Sequence, residues 1–429
     1  MKTMTKQGKN QVLPIAIMFA LFFMISFVTG LQNPMGVIVK EQFGVSNFLS
    51  QLGNAANFIA YFFMGIPAGL LLQKIGYKKT SLAAVVIGFV GVGISYISGA
   101  MGSFGIYVVG AFVSGFSMCM LNVVVNPMLN TLGGGGAKGN QLLLFGGTLN
   151  SIGATIVPVL VGALMGNAAQ ATIADATPVL YLAMGIFALA FIVLIFSNIP
   201  EPHLVTEKNE VKEKHSPLSF RHFIFGIIAI FTYVGVEVGI PNISNLFMTS
   251  SLADGGLGMD PAVAGTVVGT YWFLMLIGRF IGGAIGGKVS SKMMIAATTS
   301  LAAIFVICAI FLPQTILVNM PVFNSDISVG MAEVPVNILL LVLCGLCTSV
   351  MWGGIFNLAV EGLGKYTAQA SGFFMMMVCG GGLLPLLQGF VADRTTFLLS
   401  YFVVLAGILY ILWFALFGSK NVNKDIPTE

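Results

Sequence analysis

Glu237 lies inside an apolar stretch of span length, and every other acid and base is expected in loops, tails or the end turns of helices. A charge at the centre of a bilayer costs about 2.5–3.5 kcal/mol by insertion scales and usually marks a functional device. The plainer alternative is a glutamate kept protonated or hydrogen-bonded within a bundle. The chemistry on offer is proton carriage, or a sodium site built from Glu237, amide oxygens and backbone carbonyls, because hard cations prefer oxygen ligands. Pro241, four residues on, lacks an N–H and frees a backbone carbonyl near Glu237, a candidate cation ligand and a candidate gating kink.

Amides cluster in the same kind of stretch. Thr29 and Asn33 are four apart, Asn54, Asn57 and Tyr61 stand at i, i+3 and i+7, Asn122 and Asn126 are four apart, and Asn150 has Ser151 beside it. Such spacings put each set on one helix face. An amide offers an acceptor and two donors, which suits the hydroxyls of a sugar, and leaving one unpartnered when buried costs about 1–3 kcal/mol. One buried amide is equally explained by interhelical hydrogen bonding, worth about 0.6 kcal/mol on average. Polar faces on four helices point to a wet cavity. The substrate-binding candidates are Asn33, Asn54, Asn57, Asn122, Asn126, Asn150, Trp352, Asn357 and Gln388, with Asn33 and Asn122 also candidate cation ligands. Asn126, next to Pro127, could instead repair the helix break. Trp352 could stack on a pyranose ring or serve as packing or an interface anchor. Asn242, Tyr271 and Trp272 are further polar groups of the second half.

The elements that position these residues are membrane helices. The 429 residues are 57% hydrophobic and 8% charged, with a mean hydropathy of +0.96, against about 25% charged in a soluble domain. A span needs roughly 20 apolar residues, and its backbone must be satisfied as a helix or a closed barrel. Barrel strands alternate; runs such as 82–97 and 181–196 do not. The expected spans are 12–37, 47–73, 80–100, 104–130, 141–166, 177–198, 222–247, 261–287, 292–313, 335–361, 369–392 and 396–418. An even number puts both termini on one side. That side then collects Lys2, Lys6, Lys9, Lys74, Lys78, Lys79, Lys138, Lys208, Lys212, Lys214, Arg221, Arg279, Lys288, Lys292, Lys365, Lys420 and Lys424, leaving only Lys40 and Arg394 opposite. The excess predicts cytoplasmic termini. The run after the basic N-terminus is full span length without a small-residue cleavage site, so no cleavable signal is expected.

The charged stretch 201–216 reads as a linker between two halves: 1–200, then 201–220 as linker, 221–419, and 420–429 as a cytoplasmic tail. A second polar stretch, 318–335, falls outside. Cys119, Cys308, Cys344, Cys347 and Cys379 lie in apolar helices and read as small packing residues. His203, His215 and His222 sit in or beside the central loop, which argues against a histidine site in the membrane. With no nucleophile–base or metal constellation, an enzyme is not expected. The glycine runs 133–136 and 380–382 do not match phosphate loops. No nucleotide-binding domain or cofactor is expected, so energy must come from gradients. Topology accounts for the basic residues, so no nucleic-acid partner is implied.

The halves echo each other. Residues 126–133 end span four and 355–364 end span ten; each is followed by a polar turn and a glycine-rich helix. Gly65/Gly69 and Gly278/Gly282 both precede a basic turn. Such spacing also serves generic close helix contact, but parallel six-span repeats flanking a midplane site are a transporter design.

The run Gly69-Leu-Leu-Leu-Gln73-Lys74-Ile-Gly76-Tyr-Lys78-Lys79 resembles the loop between spans two and three of the major facilitator superfamily, which usually carries Asp where Gln73 stands. Leu121-Asn122-Val-Val-Val-Asn126-Pro127, Gly147-Thr-Leu-Asn150-Ser-Ile-Gly-Ala154, Tyr233-Val-Gly-Val-Glu237 and Gly380-Gly-Gly-Leu-Leu-Pro385-Leu-Leu-Gln388-Gly-Phe-Val-Ala-Asp393 resemble the fucose and glucose/galactose permeases of that superfamily. The resemblance covers nearly the whole chain. It implies an all-α integral membrane protein of twelve transmembrane helices in two six-helix pseudo-symmetric halves. It also implies a monomeric secondary active importer of a hexose or deoxyhexose in the bacterial cytoplasmic membrane, working by alternating access and coupled to sodium or protons. Gating is assigned to Gly69, Lys74, Gly76, Lys78, Pro241 and Arg279. Two positions depart: the acids of the proton-coupled fucose permeases in spans one and four are here Asn33 and Asn122, so Glu237 is the remaining proton carrier. Uniport stays open. So do other cargo classes, although an acidic sugar would want a cavity Arg or Lys that the sequence does not place there, and a drug exporter a more apolar cavity. A sensor would bind sugar without flux.

Overall fold

The computed structural model describes residues 11–31, 35, 38, 39, 42–44, 52–165, 172–202, 215–323, 328–423 and 425–428. In the first half run α1 (Val12–Gly30), α2 (Leu52–Ala100), α3 (Phe104–Leu132), α4 (Gly136–Met165) and α5 (Thr177–Phe196). The second half holds α6 (Arg221–Thr249), α7 (Pro261–Gly286), α8 (Ser291–Phe311), α9 (Val336–Thr348), α10 (Met351–Val360), α11 (Thr367–Met376), α12 (Gly380–Arg394) and α13 (Tyr401–Trp413), the last continuing into a π turn, Phe414–Gly418.

Twelve crossings follow once the breaks are read. α2 is two spans joined at Gly76, whose φ of 84° lies in the left-handed region that a residue with a Cβ rarely adopts. α9 and α10 are one span interrupted at Ser349 and Val350. α11 and α12 are another, interrupted by the 3-10 turn Met377–Cys379. Large apolar side chains, among them Phe63, Phe89, Leu189, Phe280, Leu386 and Phe417, stand exposed around the bundle. Water would penalise such a surface; hydrocarbon does not.

The segment expected as an outside polar loop is instead a hairpin of β1 (Leu317–Phe323) and β2 (Val329–Pro335), antiparallel with Leu317 opposite Pro335. Met320, Val322, Ala332 and Val334 are buried on one face. That period-two alternation is the strand signal. The described start of the central connection is anchored. Glu201 accepts the N–H of Tyr77 at 2.5 Å and of Lys78 at 3.0 Å, while Lys78 Nζ donates to the carbonyls of Ile195 and Ser197, each at 2.8 Å. An acid at a helix N-terminus is favourable, so Glu201 supplies at this turn a carboxylate that Gln73 does not. The tail is docked too: Thr428 O accepts from the Lys365 N–H at 3.0 Å, and Ile426 is buried.

The halves meet closely at the end that carries Lys74, Lys78, Lys138, Lys288 and Lys365, called here the basic side. α2 crosses α11 at Gly65, Gly69 and Gly372; a Cβ on Gly69 would stand 2.9 Å from the Gly372 Cα. α4 and α7 meet there as well, with Gly286 against Gln141.

Candidate functional site

Glu237 lies mid-length on α6. Its Oε1 accepts from Arg279 Nη2 at 2.8 Å, the two side chains being 12% and 11% exposed. Arg279 is expected in the end turns of its span on the basic side, and Glu237 is expected to be the single charge deep in a span; the structure corrects both by burying Arg279 against Glu237. Arg279 sits seven residues before the end of α7, about 10 Å inward at 1.5 Å per residue. Because α7 runs toward the basic side and Cα–Cβ bonds tilt toward a helix N-terminus, the long side chain reaches deeper still. Its Nη1 donates to Ser151 Oγ at 2.7 Å and to the Gly147 carbonyl at 3.3 Å on α4. Glu237, Arg279 and Ser151 therefore join the two halves.

The carbonyl freed by Pro241 is that of Glu237. It accepts the Tyr271 hydroxyl at 3.2 Å, and that hydroxyl also meets Thr348 Oγ1 at 3.1 Å. At the expected sodium site, one carboxylate oxygen of Glu237 and the freed carbonyl are both engaged by protein donors, and the neighbouring guanidinium is a positive charge. The seam does hold a buried arginine, the cation an acidic sugar would want, but its charge is matched by Glu237.

A chain of amides continues the seam. Trp352 Nε1 donates to Asn126 Oδ1 at 3.0 Å; Asn126 Nδ2 donates to the Asn122 carbonyl at 2.8 Å; Asn122 Nδ2 donates to Tyr61 Oη at 3.0 Å. Trp352 in turn stands edge-on to Tyr233 and Phe374, with centroids 6.3 and 6.0 Å apart. The Tyr233 hydroxyl is fully buried beside Glu237 and Arg279 and completes no hydrogen bond of good geometry.

Asn126 does not repair the break made by Pro127. The freed carbonyl is Val123, and Ser371 Oγ of α11 donates to it at 3.2 Å from the other half. Asn357, expected to bind substrate, is committed elsewhere: its Oδ1 accepts from Asn130 Nδ2 at 2.7 Å and its Nδ2 donates to Ser291 at 2.9 Å, near the basic end. It reads as a latch between halves. Asn150 Nδ2 donates to the Phe22 carbonyl at 3.2 Å, tying α4 to α1. Asn57 and Gln388 are buried with one amide nitrogen each unpartnered. Asn33 lies outside the described residues, as does the side chain of Asn54. Of the expected gating residues, Gly69 and Lys78 make the contacts given above, Gly76 makes the positive-φ turn, and Lys74 is exposed. Sequence reasoning passed over Tyr233, Asn130, Ser371 and Glu201; Tyr233 was findable as the residue one turn before Glu237.

The sequence pattern of the Major Facilitator Superfamily matches residues 18–385. The chain belongs to that superfamily and is a multi-pass membrane transporter, not an enzyme. It is 29% identical over 428 residues to a glucose/galactose transporter of Brucella abortus biovar 1 (strain 9-941), covering 98% of this chain and 97% of that one. It is 22% identical over 412 residues to the L-fucose-proton symporter of Escherichia coli (strain K12), covering 90% and 88%. The crystal structure of the transporter FucP in the outward conformation has the same fold, with a TM-score of 0.81 at 20% identity, covering 96% of this chain and 100% of that one.

Proposed function

We propose that the chain imports a neutral hexose or deoxyhexose into a bacterial cell by alternating access, coupled to a proton carried by Glu237. The observation that carries this is the polar seam between the halves: a charged bridge, Glu237–Arg279–Ser151, beside an amide chain, Trp352–Asn126–Asn122–Tyr61. The amides and the indole suit a polyhydroxylated ring with one apolar face. The similarity to a glucose/galactose transporter and an L-fucose-proton symporter supports the cargo class. A site whose buried arginine is already paired favours a neutral cargo over an acidic one.

The coupling follows from charge. Ionised Glu237 holds Arg279, and Arg279 holds Ser151 and Gly147 across the seam. A proton on Glu237 removes the counter-charge and loosens Arg279, so the basic side can part and release sugar and proton together. In this reading 1–200 and 221–419 are the moving halves, 201–220 links them, both termini and the 420–429 tail are cytoplasmic, and the monomer suffices.

The test is accumulation of labelled monosaccharides in proteoliposomes under an inward proton gradient, compared with a sodium gradient at fixed pH. Uphill uptake with protons is expected, and Glu237→Gln should keep sugar exchange while losing accumulation. Uphill uptake driven by sodium at fixed pH would move the coupling away from Glu237. Downhill flux alone would make the protein a uniporter, and no flux of any sugar would refute the cargo.

A further inference from the structure

We infer that the Tyr233 hydroxyl is a substrate ligand, reserved in the empty transporter for one hydroxyl of the sugar and placed between the aromatic platform and the charged pair. The inference rests on the sugar reading above and adds a residue and a contact to it.

Three observations meet at this side chain. Its hydroxyl is fully buried and has no hydrogen-bond partner, an arrangement proteins rarely leave without a reason. Its ring is edge-on to Trp352, whose indole N–H is spent on Asn126 of the other half. Its hydroxyl neighbours Glu237 and Arg279, which hold each other instead. Asn57 Nδ2 and Gln388 Nε2 are buried and unpartnered as well. The Asn57 backbone, however, packs against Gly115 within its own half, and the Gln388 amide lies against Gly239 within its own. Of these three, Tyr233 faces both the charged bridge and the inter-half amide chain. A phenol is donor and acceptor at once, so it can complete a hydrogen bond with a sugar hydroxyl of either orientation. A ligand there would lie beside Trp352 and against the pair that carries the proton, so occupancy and protonation would be sensed at adjoining atoms.

The experiment uses Tyr233→Phe, which keeps the ring and its contact with Trp352. Equilibrium binding of the transported sugar and of its singly deoxygenated analogues is measured at fixed, symmetrical pH, alongside thermal unfolding of the sugar-free protein. Wild type should bind one analogue about tenfold more weakly than the parent sugar. Tyr233→Phe should bind the parent about tenfold more weakly and no longer distinguish that analogue, because each change strands or removes the same bond. The sugar-free variant should be no less stable than wild type, since no hydrogen bond is lost. Unchanged affinity and unchanged analogue discrimination would overturn the inference while leaving sugar transport standing. A parallel loss of sugar-free stability and of affinity for every analogue would make Tyr233 structural and overturn it too. Failure of wild type to bind any monosaccharide would refute the cargo reading and this inference with it.

Discussion

Replacing Glu237 and Arg279 by methionine, singly and together, should reveal how the buried pair is balanced. Their charged atoms are 2.8 Å apart and the side chains 12% and 11% exposed. At an effective dielectric constant of about 20, two unit charges at that distance attract by roughly 6 kcal/mol. Desolvating each ion costs several kcal/mol, so the net worth of the pair is small. Breaking it is another matter: a single replacement leaves an uncompensated charge and should destabilise the protein by about 3–5 kcal/mol. Glu237→Met leaves a guanidinium that cannot shed its proton, with neutral partners, Ser151 and the Gly147 carbonyl, in place of a counter-charge. The double variant removes both charges with little change in volume and should lie within about 1 kcal/mol of wild type in the pair's own contribution. The assay is unfolding of the four purified proteins in one detergent, combined as a double-mutant cycle. A coupling of several kcal/mol is expected. Additivity within about 0.5 kcal/mol, the usual scatter for unconnected sites, would refute the idea that the two charges depend on each other.

Gly69→Leu should wedge α2 from α11, because even a Cβ at residue 69 would stand 2.9 Å from the Gly372 Cα; a cysteine introduced at Asn130, buried in wild type, should then react with thiol reagents severalfold faster from the basic side. Asn130→Ala removes the bond to Asn357, and at about 0.6–1.5 kcal/mol it should shift the balance toward the state open on the basic side roughly three- to tenfold, read by distance measurements across that end.

The spans were legible because burial in lipid imposes a crude and continuous signal, long apolar stretches, and the structure keeps their number and order. The breaks were less so. Gly76 announces its turn, whereas nothing in Thr348-Ser349-Val350 marks an interruption between α9 and α10. The hairpin at 317–335 carried its alternation openly but was masked by its polar residues. Glu237 was legible by its rarity. Arg279 was not, although the expected end of its span falls within one residue of Gly286: its depth depends on which way a long side chain leans, and spacing alone does not show that. Asn357 looked like a ligand because an amide in an apolar stretch needs a partner; its partner, Asn130, is 227 residues away in sequence on the other half. Helix-face arguments reach across one helix, not between two.

Two prolines show why that distance between halves matters for function. Pro127 and Pro241 do the same local chemistry: each removes an N–H and frees the carbonyl four residues earlier. The carbonyl of Glu237 is capped by Tyr271, within the same half, and rigid motion of that half leaves the bond intact. The carbonyl of Val123 is capped by Ser371, from the opposite half. Parting the halves on the basic side must break that bond together with Trp352–Asn126, Asn130–Asn357 and the Arg279 bonds to Ser151 and Gly147. At roughly 0.6 kcal/mol per interhelical bond, the set holds the closed basic side by on the order of 3 kcal/mol. That is enough to keep the open form near one part in a hundred, and small enough for one proton and one sugar to overcome. Pro241 can therefore kink α6 without touching the equilibrium, while Pro127 ties the kink of α3 to the state of the gate.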